Sequence, residues 1–176
     1  MNVRRALLSV ALVLGVVVGA RAGDRPMDKA KAGEWVLEKN VASGFTTWTY
    51  MWIAKVDGRK VTVMVQLLKD EQLGLAPGQP TVVDLDKPDA PPPPGSKPKT
   101  SEEEVEVKGR KLKCTKTESE VEIQGVGKMA TTTWTAAEIP IYGKAKMVVK
   151  DQAGKVVAEQ ETLDFGHEGG AERPLK

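Results

Sequence analysis

Apolar and polar residues alternate along most of this chain, which is typical of β-strands whose side chains point in turn to the two faces of a sheet. The longest such segment runs from about Phe45 to Val56. Its even-numbered residues from Trp48 to Val56 share one face, and both faces are apolar in its second half. Asp57-Gly58 follows as a hairpin signal, because the tight turn needs positive φ angles that these residues accept. This strand is therefore expected inside the sheet, covered on both faces.

The same alternation predicts about nine or ten strands and little helix. A short helix can begin at Pro26 and continue to Ala32. The apolar phase changes between 112–114 and 121–123, so a bulge or turn is expected between Thr115 and Glu120. A sheet with few helices to cover it must close on itself or leave a cavity. The predicted fold is mostly β: a strongly curved antiparallel sheet or open half-barrel with few short helices.

The first 22 residues break this pattern. Arg4 and Arg5 precede an apolar run over residues 6–18, and small residues follow at Ala20 and Ala22. A charged start, an apolar middle and small residues two apart are typical of a secretory signal peptide, which predicts cleavage after Ala22 and export to the periplasm or beyond. A helix needs roughly 20 apolar residues to span a bilayer, so the chain is not expected to be an integral membrane protein.

Proline and glycine divide the remainder of the chain. Six of its 11 prolines lie between Pro88 and Pro98. Prolines lack the backbone donor that a sheet needs, so residues 87–101 are expected to form a proline-rich loop. The part before this loop is too short to be covered by itself, so residues 23–166 are predicted to form a single β domain. Residues 167–176 are rich in glycine and are expected to be a flexible C-terminal tail.

Charge and cysteine content exclude some partners. The chain has 26 Lys and Arg against 24 Asp and Glu, and three of the arginines belong to the signal peptide. A near-neutral surface provides no electrostatic reason to expect nucleic acid as a partner. The single cysteine, Cys114, cannot form an internal disulfide. Its spacing from Leu112 predicts a buried thiol that packs as a small hydrophobic residue, and a reactive thiol or an intermolecular disulfide is the alternative.

Residues that carry catalysis or bind metals are scarce. The only histidine, His167, lies in the glycine-rich tail, where it is not held as a catalytic triad requires. Zinc sites draw several ligands from Cys and His, so neither a metal nor a cofactor is expected. The acidic run at 102–106 lacks the spacing of a calcium loop and is expected to be a solvated face. The chain is predicted not to be an enzyme, and a hydrolase is the least favoured alternative.

Four aromatic residues carry the remaining functional signal. Trp48, Tyr50 and Trp52 lie on one face of the longest strand, and Trp35 belongs to the strand before it. In one interpretation these rings form the core between the sheet and a covering element. In the other they line the concave face of the sheet and bind an apolar ligand, because ligand clefts are mostly apolar.

Several short motifs resemble those of uncharacterised secreted proteins of planctomycete-type bacteria, over most of the processed chain. None of them is catalytic. Such proteins are similar in length and strand pattern to the periplasmic lipoprotein carriers (LolA-like), which implies a curved half-barrel that can hold acyl chains, although fold alone does not establish function. The carriers plug the half-barrel with helices, and this chain offers only 26–32 and 136–142 for that role. The motifs are Gly33-Glu34-Trp35, Val105-x-Val107-x-Gly109-x-x-Leu112-x-Cys114, Trp134 with Ile139-Pro140 and Gly143, and Leu163-Asp164-Phe165-Gly166.

The resulting prediction is an exported, non-enzymatic protein of the cell envelope. Its first hypothetical role is to bind an apolar small molecule or lipid at Trp35, Trp48, Tyr50 and Trp52. The alternative is a structural or interaction module with a fully packed core, which holds an envelope protein at a strand edge or at the proline-rich loop.

Overall fold

The computed structural model describes residues 26–87, 98–123 and 127–175. The predicted signal peptide with its cleavage site, and most of the proline-rich loop, lie outside these ranges. The helix expected from Pro26 is a single 3₁₀ turn, Pro26–Lys29. In the described ranges, no helix is long and apolar enough to cross a membrane. The strands found there are β1 (Trp35–Ala42), β2 (Phe45–Asp57), β3 (Lys60–Leu68), β4 (Gln79–Asp84), β5 (Lys99–Val107), β6 (Arg110–Ile123), β7 (Gly127–Thr135), β8 (Lys144–Lys150) and β9 (Val156–Gly166).

These strands form one antiparallel sheet in the order β4-β3-β2-β1-β9-β8-β7-β6-β5, so β1 pairs with β9 and the sheet is not closed. The predicted fold class, a curved and open antiparallel sheet, is confirmed. The two edge strands, β4 and β5, follow each other in sequence. Strand β5 begins at Lys99, within the range 87–101 expected for the proline-rich loop, because pairing with β6 stabilises a segment that is exposed on both faces.

Strand β2 lies between β1 and β3, as its two apolar faces predict. Met51 and Ile53 pack on one face, and Tyr50 and Trp52 pack on the other. The hairpin predicted at Asp57-Gly58 is found, and its two-residue turn is Gly58-Arg59, because Asp57 already pairs with Lys60. The central strand thus supplies side chains to two separate apolar clusters.

The alternation along β2 is interrupted near its end. The register with β3 shifts between Ile53 and Lys55, which marks a bulge. Ala54 and Val56 are exposed as a result. The expectation that Val56 continues the aromatic face is therefore wrong, because Val56 pairs with the inner-core residue Val61, and Ala54 lies in the bulge itself.

The change of phase along β6 does not come from an inserted residue. The registers of β6 with β5 and with β7 run without a shift through residues 115–120, so the bulge predicted there is wrong. A shift falls one strand further on, between Trp134 and Thr135, where β7 pairs with β8. Strand β6 therefore keeps a regular pairing along its 14 residues.

The sheet curls until the hairpin between β5 and β6 reaches β9. The Arg110 guanidinium donates hydrogen bonds to the Phe165 carbonyl (2.9 Å) and to Asp164 Oδ1 (3.1 Å), and it lies 4.1 Å from the centre of the Phe165 ring. Lys108 pairs with the same Asp164 carboxylate. Strands in a flat sheet are about 4.8 Å apart, so strands separated by two others could not make these contacts. The face that carries Phe165 is therefore the inner, concave face.

The inner face is filled by the chain itself. Its buried core combines residues of seven strands with Met27 of the 3₁₀ turn and with Ile139 and Ile141 of the segment after β7. Ile139 and Ile141 are each only 1% exposed. These residues belong to the segments 26–32 and 136–142, which the sequence offers in place of the helices that plug the half-barrel of the lipoprotein carriers. Cys114 belongs to this core as a buried free thiol, as predicted, and burial raises its pKa.

Candidate functional site: an aromatic face covered by the C-terminal segment

The four aromatic residues singled out in the sequence lie together on the outer face of the sheet, opposite to the inner core. The ring centroids of Trp35 and Tyr50 are 5.7 Å apart, and those of Tyr50 and Trp52 are 5.6 Å apart. Tyr50 and Trp52 are buried, whereas Trp35 and Trp48 are half-buried. We call these four residues the outer aromatic cluster. Alternation correctly placed the rings on one face of the sheet. The sheet curls around the opposite face, so the rings do not line the concave face on which a ligand was expected.

The element that covers the outer aromatic cluster is the C-terminal segment, residues 167–175, here called the strap. Trp35 Nε1 donates a hydrogen bond to the Glu168 carbonyl (3.0 Å), and Gly170 N donates one to the Gly33 carbonyl (2.8 Å). A Cβ at Gly170 would lie 2.9 Å from Trp52 Cβ, so only glycine lets the strap approach the indole this closely. The domain boundaries and the flexibility expected of this segment stay predictions.

Strand β3 presents a fully buried polar side chain, Gln66, to the strap. Arg173 N donates a hydrogen bond to Gln66 Oε1 (2.9 Å), and Gln66 Nε2 donates one to the Arg173 carbonyl (3.1 Å). Nε2 also donates to the carbonyl of Ala76 in the loop after β3 (3.1 Å). One amide therefore satisfies both backbone groups of a strap residue, as a neighbouring strand would.

The end of the strap runs along the loop between β3 and β4. Gly74 N donates a hydrogen bond to the Pro174 carbonyl (3.0 Å), and Gly74 forms a parallel bridge with Leu175. Gly78 N donates to the Glu172 carboxylate (2.8 Å). Backbone groups and one acidic side chain thus hold an extended segment in the way that an added strand is held.

The Arg173 side chain lies over the outer aromatic cluster. Its Cζ is 4.5 Å from the Tyr50 ring centroid and 5.8 Å from that of Trp35, which is within the range of cation–π attraction. The structure gives the buried Arg173 Nε no hydrogen-bond partner within the described ranges, so the rings are its main stabilising contact. Burial raises the pKa of Tyr50, and the Arg173 charge offsets part of the rise. The phenol is therefore neutral near pH 7 and serves as a stacking surface.

A second group of polar side chains, which the sequence pattern does not indicate, lies on the inner face beyond the core. Glu38 is 6% exposed and follows the inner-face residue Val36 by two positions, opposite Thr162 of β9. Burial raises the pKa of Glu38, and the Lys144 ammonium and the Gln160 amide offset part of the rise. Lys144 Nζ also donates a hydrogen bond to Gln160 Oε1 (3.0 Å). This network ties β1, β9 and β8 together.

The structure does not bring together the residues weighed for catalysis. His167 is exposed on the strap, with Nδ1 3.3 Å from Glu34 Oε1, whereas Cys114 is buried in the inner core. The acidic run lies on the edge strand β5, where Glu103 and Glu104 pair with lysines of β6. In the parts of the chain that the structure describes, no three or more His, Cys, Asp or Glu side chains are arranged to hold a metal ion.

Sequence reasoning misses Gln66 and Arg173, which hold the strap on the outer face. A signal exists for Gln66, because it occupies an outward position of β3 between the apolar residues Met64 and Leu68. Arg173 carries no such signal, since it stands among polar residues and glycines near the end of the chain.

Comparisons with known proteins show the fold and no family. The sequence matches no family model, and no curated protein is significantly similar to it. The solved structures that are similar to this chain include MucB in complex with MucA(peri) (11% identity, TM-score 0.52), the MucA/MucB complex of Pseudomonas aeruginosa (9%, 0.54) and MucB (10%, 0.51). The matches cover 80%, 83% and 85% of this chain.

The same matches cover 52%, 55% and 62% of the MucB chains, so this chain spans about half to three-fifths of their length. At these identities the likeness shows the fold alone. The shared fold agrees with the half-barrel that the resemblance to lipoprotein carriers implies.

Proposed function

We propose that this chain is an exported, non-enzymatic protein of the cell envelope that binds another protein. The observation that carries the proposal is that the chain's own residues pack the inner core and cover the outer aromatic cluster. The inner face holds its own core with Ile139 and Ile141, and the outer face holds the strap. As long as these segments stay in place, recognition falls to the surface and the strand edges. Two of the MucB structures that share the fold are complexes with MucA, which supports a protein partner.

The edge strands provide the surface for such a partner. Strands β4 and β5 each pair with one neighbour only among the described strands. An unpaired edge offers backbone donors and acceptors to an added strand. Val82 on β4 is 61% exposed, and Glu102 on β5 is exposed as well. Both edges can therefore be probed at side chains that do not hold the fold.

Site-specific photo-cross-linking in the native cell envelope tests this function. A photoreactive residue is placed at Val82, at Glu102, or at Gln152 in the exposed turn between β8 and β9 as the control. Binding at an edge predicts a cross-linked species of defined mass at Val82 or Glu102 and none at Gln152. An uncross-linked protein at all three positions contradicts the proposal. A variant lacking residues 89–97 then distinguishes binding at the proline-rich loop from binding at a strand edge. Loss of the cross-link in this variant assigns the partner to the loop, and a retained cross-link assigns it to the edge.

A second candidate function is the binding of an apolar or lipid-like ligand at the outer aromatic cluster. It is favoured by the close grouping of Trp35, Tyr50 and Trp52 beneath a single strap, and by the buried Trp48 Nε1, which has no hydrogen-bond partner in the described structure. An apolar fluorescent probe should then bind and should be lost in Trp52→Ala at unchanged fold. Phe45→Ala, at a side chain that is 77% exposed, is the control. Absence of probe binding at any concentration rules this candidate out.

A further inference from the structure

The strap occupies a groove with the properties of a peptide site. We propose that Tyr50, Gln66 and the loop at 74–78 form a peptide-binding groove, which the chain's own residues 172–175 fill in this structure. We further propose that the protein partner enters it with an extended segment containing an arginine that follows an acidic residue. This inference rests on the proposed protein-binding function and names the site and the chemistry of the partner.

The polar floor of the groove demands a peptide backbone. Gln66 is 0% exposed, and two of its three hydrogen bonds go to the backbone of Arg173. When the strap leaves, the Gln66 amide keeps its bond to the Ala76 carbonyl and exchanges its two bonds to the Arg173 backbone for bonds to water. A foreign extended segment restores the same two bonds whatever its side chains are. The groove is therefore stable when filled and favours replacement of one peptide by another.

The walls of the groove select side chains. The planar guanidinium of Arg173 lies against Tyr50 and near Trp35, a position where lysine cannot stack in the same way. The Glu172 carboxylate accepts a hydrogen bond from Gly78 N. A Cβ at Gly78 would lie 2.5 Å from the Trp52 ring. The ring therefore packs directly against the loop whose Gly78 N binds the Glu172 carboxylate. An acidic residue followed by arginine is thus the pair that the groove recognises.

The strap competes with any partner from within the same molecule. A short tether gives an effective concentration of about 1 mM, so a foreign peptide binds the wild-type chain weakly. Gly170 controls this competition, because a Cβ there would lie 2.8 Å from the Gly33 carbonyl and 2.9 Å from Trp52 Cβ. Gly170→Ala should therefore release the strap in the full-length protein. Glu168→Ala is the matched control, because Glu168 meets the site through its carbonyl and its side chain is exposed.

Fluorescence anisotropy with a labelled peptide of sequence Ala-Glu-Arg-Pro-Leu-Lys, added to full-length protein, measures occupancy of the groove. We expect at least about tenfold tighter binding to Gly170→Ala than to the wild type or to Glu168→Ala, and about tenfold weaker binding when lysine replaces the arginine of the peptide. Arg173→Ala removes the strap's own anchor and serves as a second variant if Gly170→Ala does not fold. Equal binding of the peptide by the folded variants and by the wild type overturns the inference. A protein that binds an apolar fluorescent probe but does not bind the peptide overturns it as well.

The same peptide separates this inference from the proposed function. Added in excess during photo-cross-linking of Gly170→Ala, whose groove is free of the strap, it should abolish the partner cross-link. A cross-link that persists leaves the protein-binding function standing and shows that the partner does not enter the groove. Peptide binding to Gly170→Ala without any cross-link in the envelope contradicts the function and the named partner, but leaves the groove itself in place.

Discussion

Replacing Gln66 with leucine tests how the strap is held. The substitution removes three hydrogen bonds, two to the Arg173 backbone and one to the Ala76 carbonyl. Each is worth about 0.5–1.5 kcal/mol net, so the free energy of unfolding should fall by about 3 kcal/mol. Leucine has a similar volume, so the loss of polar contacts dominates over any cavity. In a domain of this size 1 kcal/mol corresponds to roughly 2–4 °C, which predicts a decrease in Tm of about 6–12 °C.

Thermal unfolding followed by circular dichroism measures this change, with Gln79→Leu as the control. Gln79 is exposed and its side chain makes one weak hydrogen bond to the Pro77 carbonyl (3.3 Å), so its replacement should change stability by no more than about 0.5 kcal/mol. Hydrogen exchange should also accelerate over residues 167–175 in Gln66→Leu and stay unchanged in β6. A Gln66→Leu protein with wild-type Tm and a protected strap would refute the reasoning.

Three further changes test the core, the inner polar group and the curl of the sheet. Ile139→Ala should cost about 2–5 kcal/mol by urea unfolding, because Ile139 is 1% exposed; a cost near zero contradicts its place in the core. Burial raises the folded pKa of Glu38, so its charged form weakens the fold as pH rises through that pKa. Glu38→Gln should therefore be more stable than the wild type at pH 8 and no more stable at pH 4. A gain in stability found only at pH 4 would contradict the raised pKa of Glu38. Arg110→Ala should cost about 1–3 kcal/mol through its lost contacts with Phe165, whereas the exposed Lys111→Ala control should cost less than about 1 kcal/mol in the same assay.

Strand positions could be predicted because alternation is a local property. The pattern from Phe45 to Val56 placed β2 inside the sheet, and Asp57-Gly58 marked its hairpin. The curvature of the sheet was predicted as well, but the face that it encloses could not be, because this depends on contacts such as that of Arg110 with Phe165, which are 55 positions apart. The bulge expected in β6 rests on the phase of apolar residues alone, whereas its register is set by pairing with β5 and β7, which runs without a shift.

The candidate site, too, could be predicted from the sequence only in part. Alternation shows that Trp48, Tyr50 and Trp52 share a face, but the identity of that face depends on the packing of distant segments. Trp35 bonds to the Glu168 carbonyl 133 positions away, and a carbonyl is common to every residue type. A strap held through its backbone therefore leaves little trace in composition, and a glycine-rich, polar segment has the pattern of a loose end.

A segment that is held through its backbone leaves a sequence signal in the residues that it packs against. A strand that binds a backbone needs a buried side chain with both a donor and an acceptor, and glutamine or asparagine meets this need. Gln66 is such a residue, set among apolar neighbours on the outer face of β3. Glycines must also stand where the backbone approaches a large side chain closely, as Gly78 does at the Trp52 ring and Gly170 at Trp52 Cβ. A lone amide at an apolar strand position, together with glycines in segments far apart in sequence, thus predicts a docked extended segment, and this surface can exchange that segment for one from a partner.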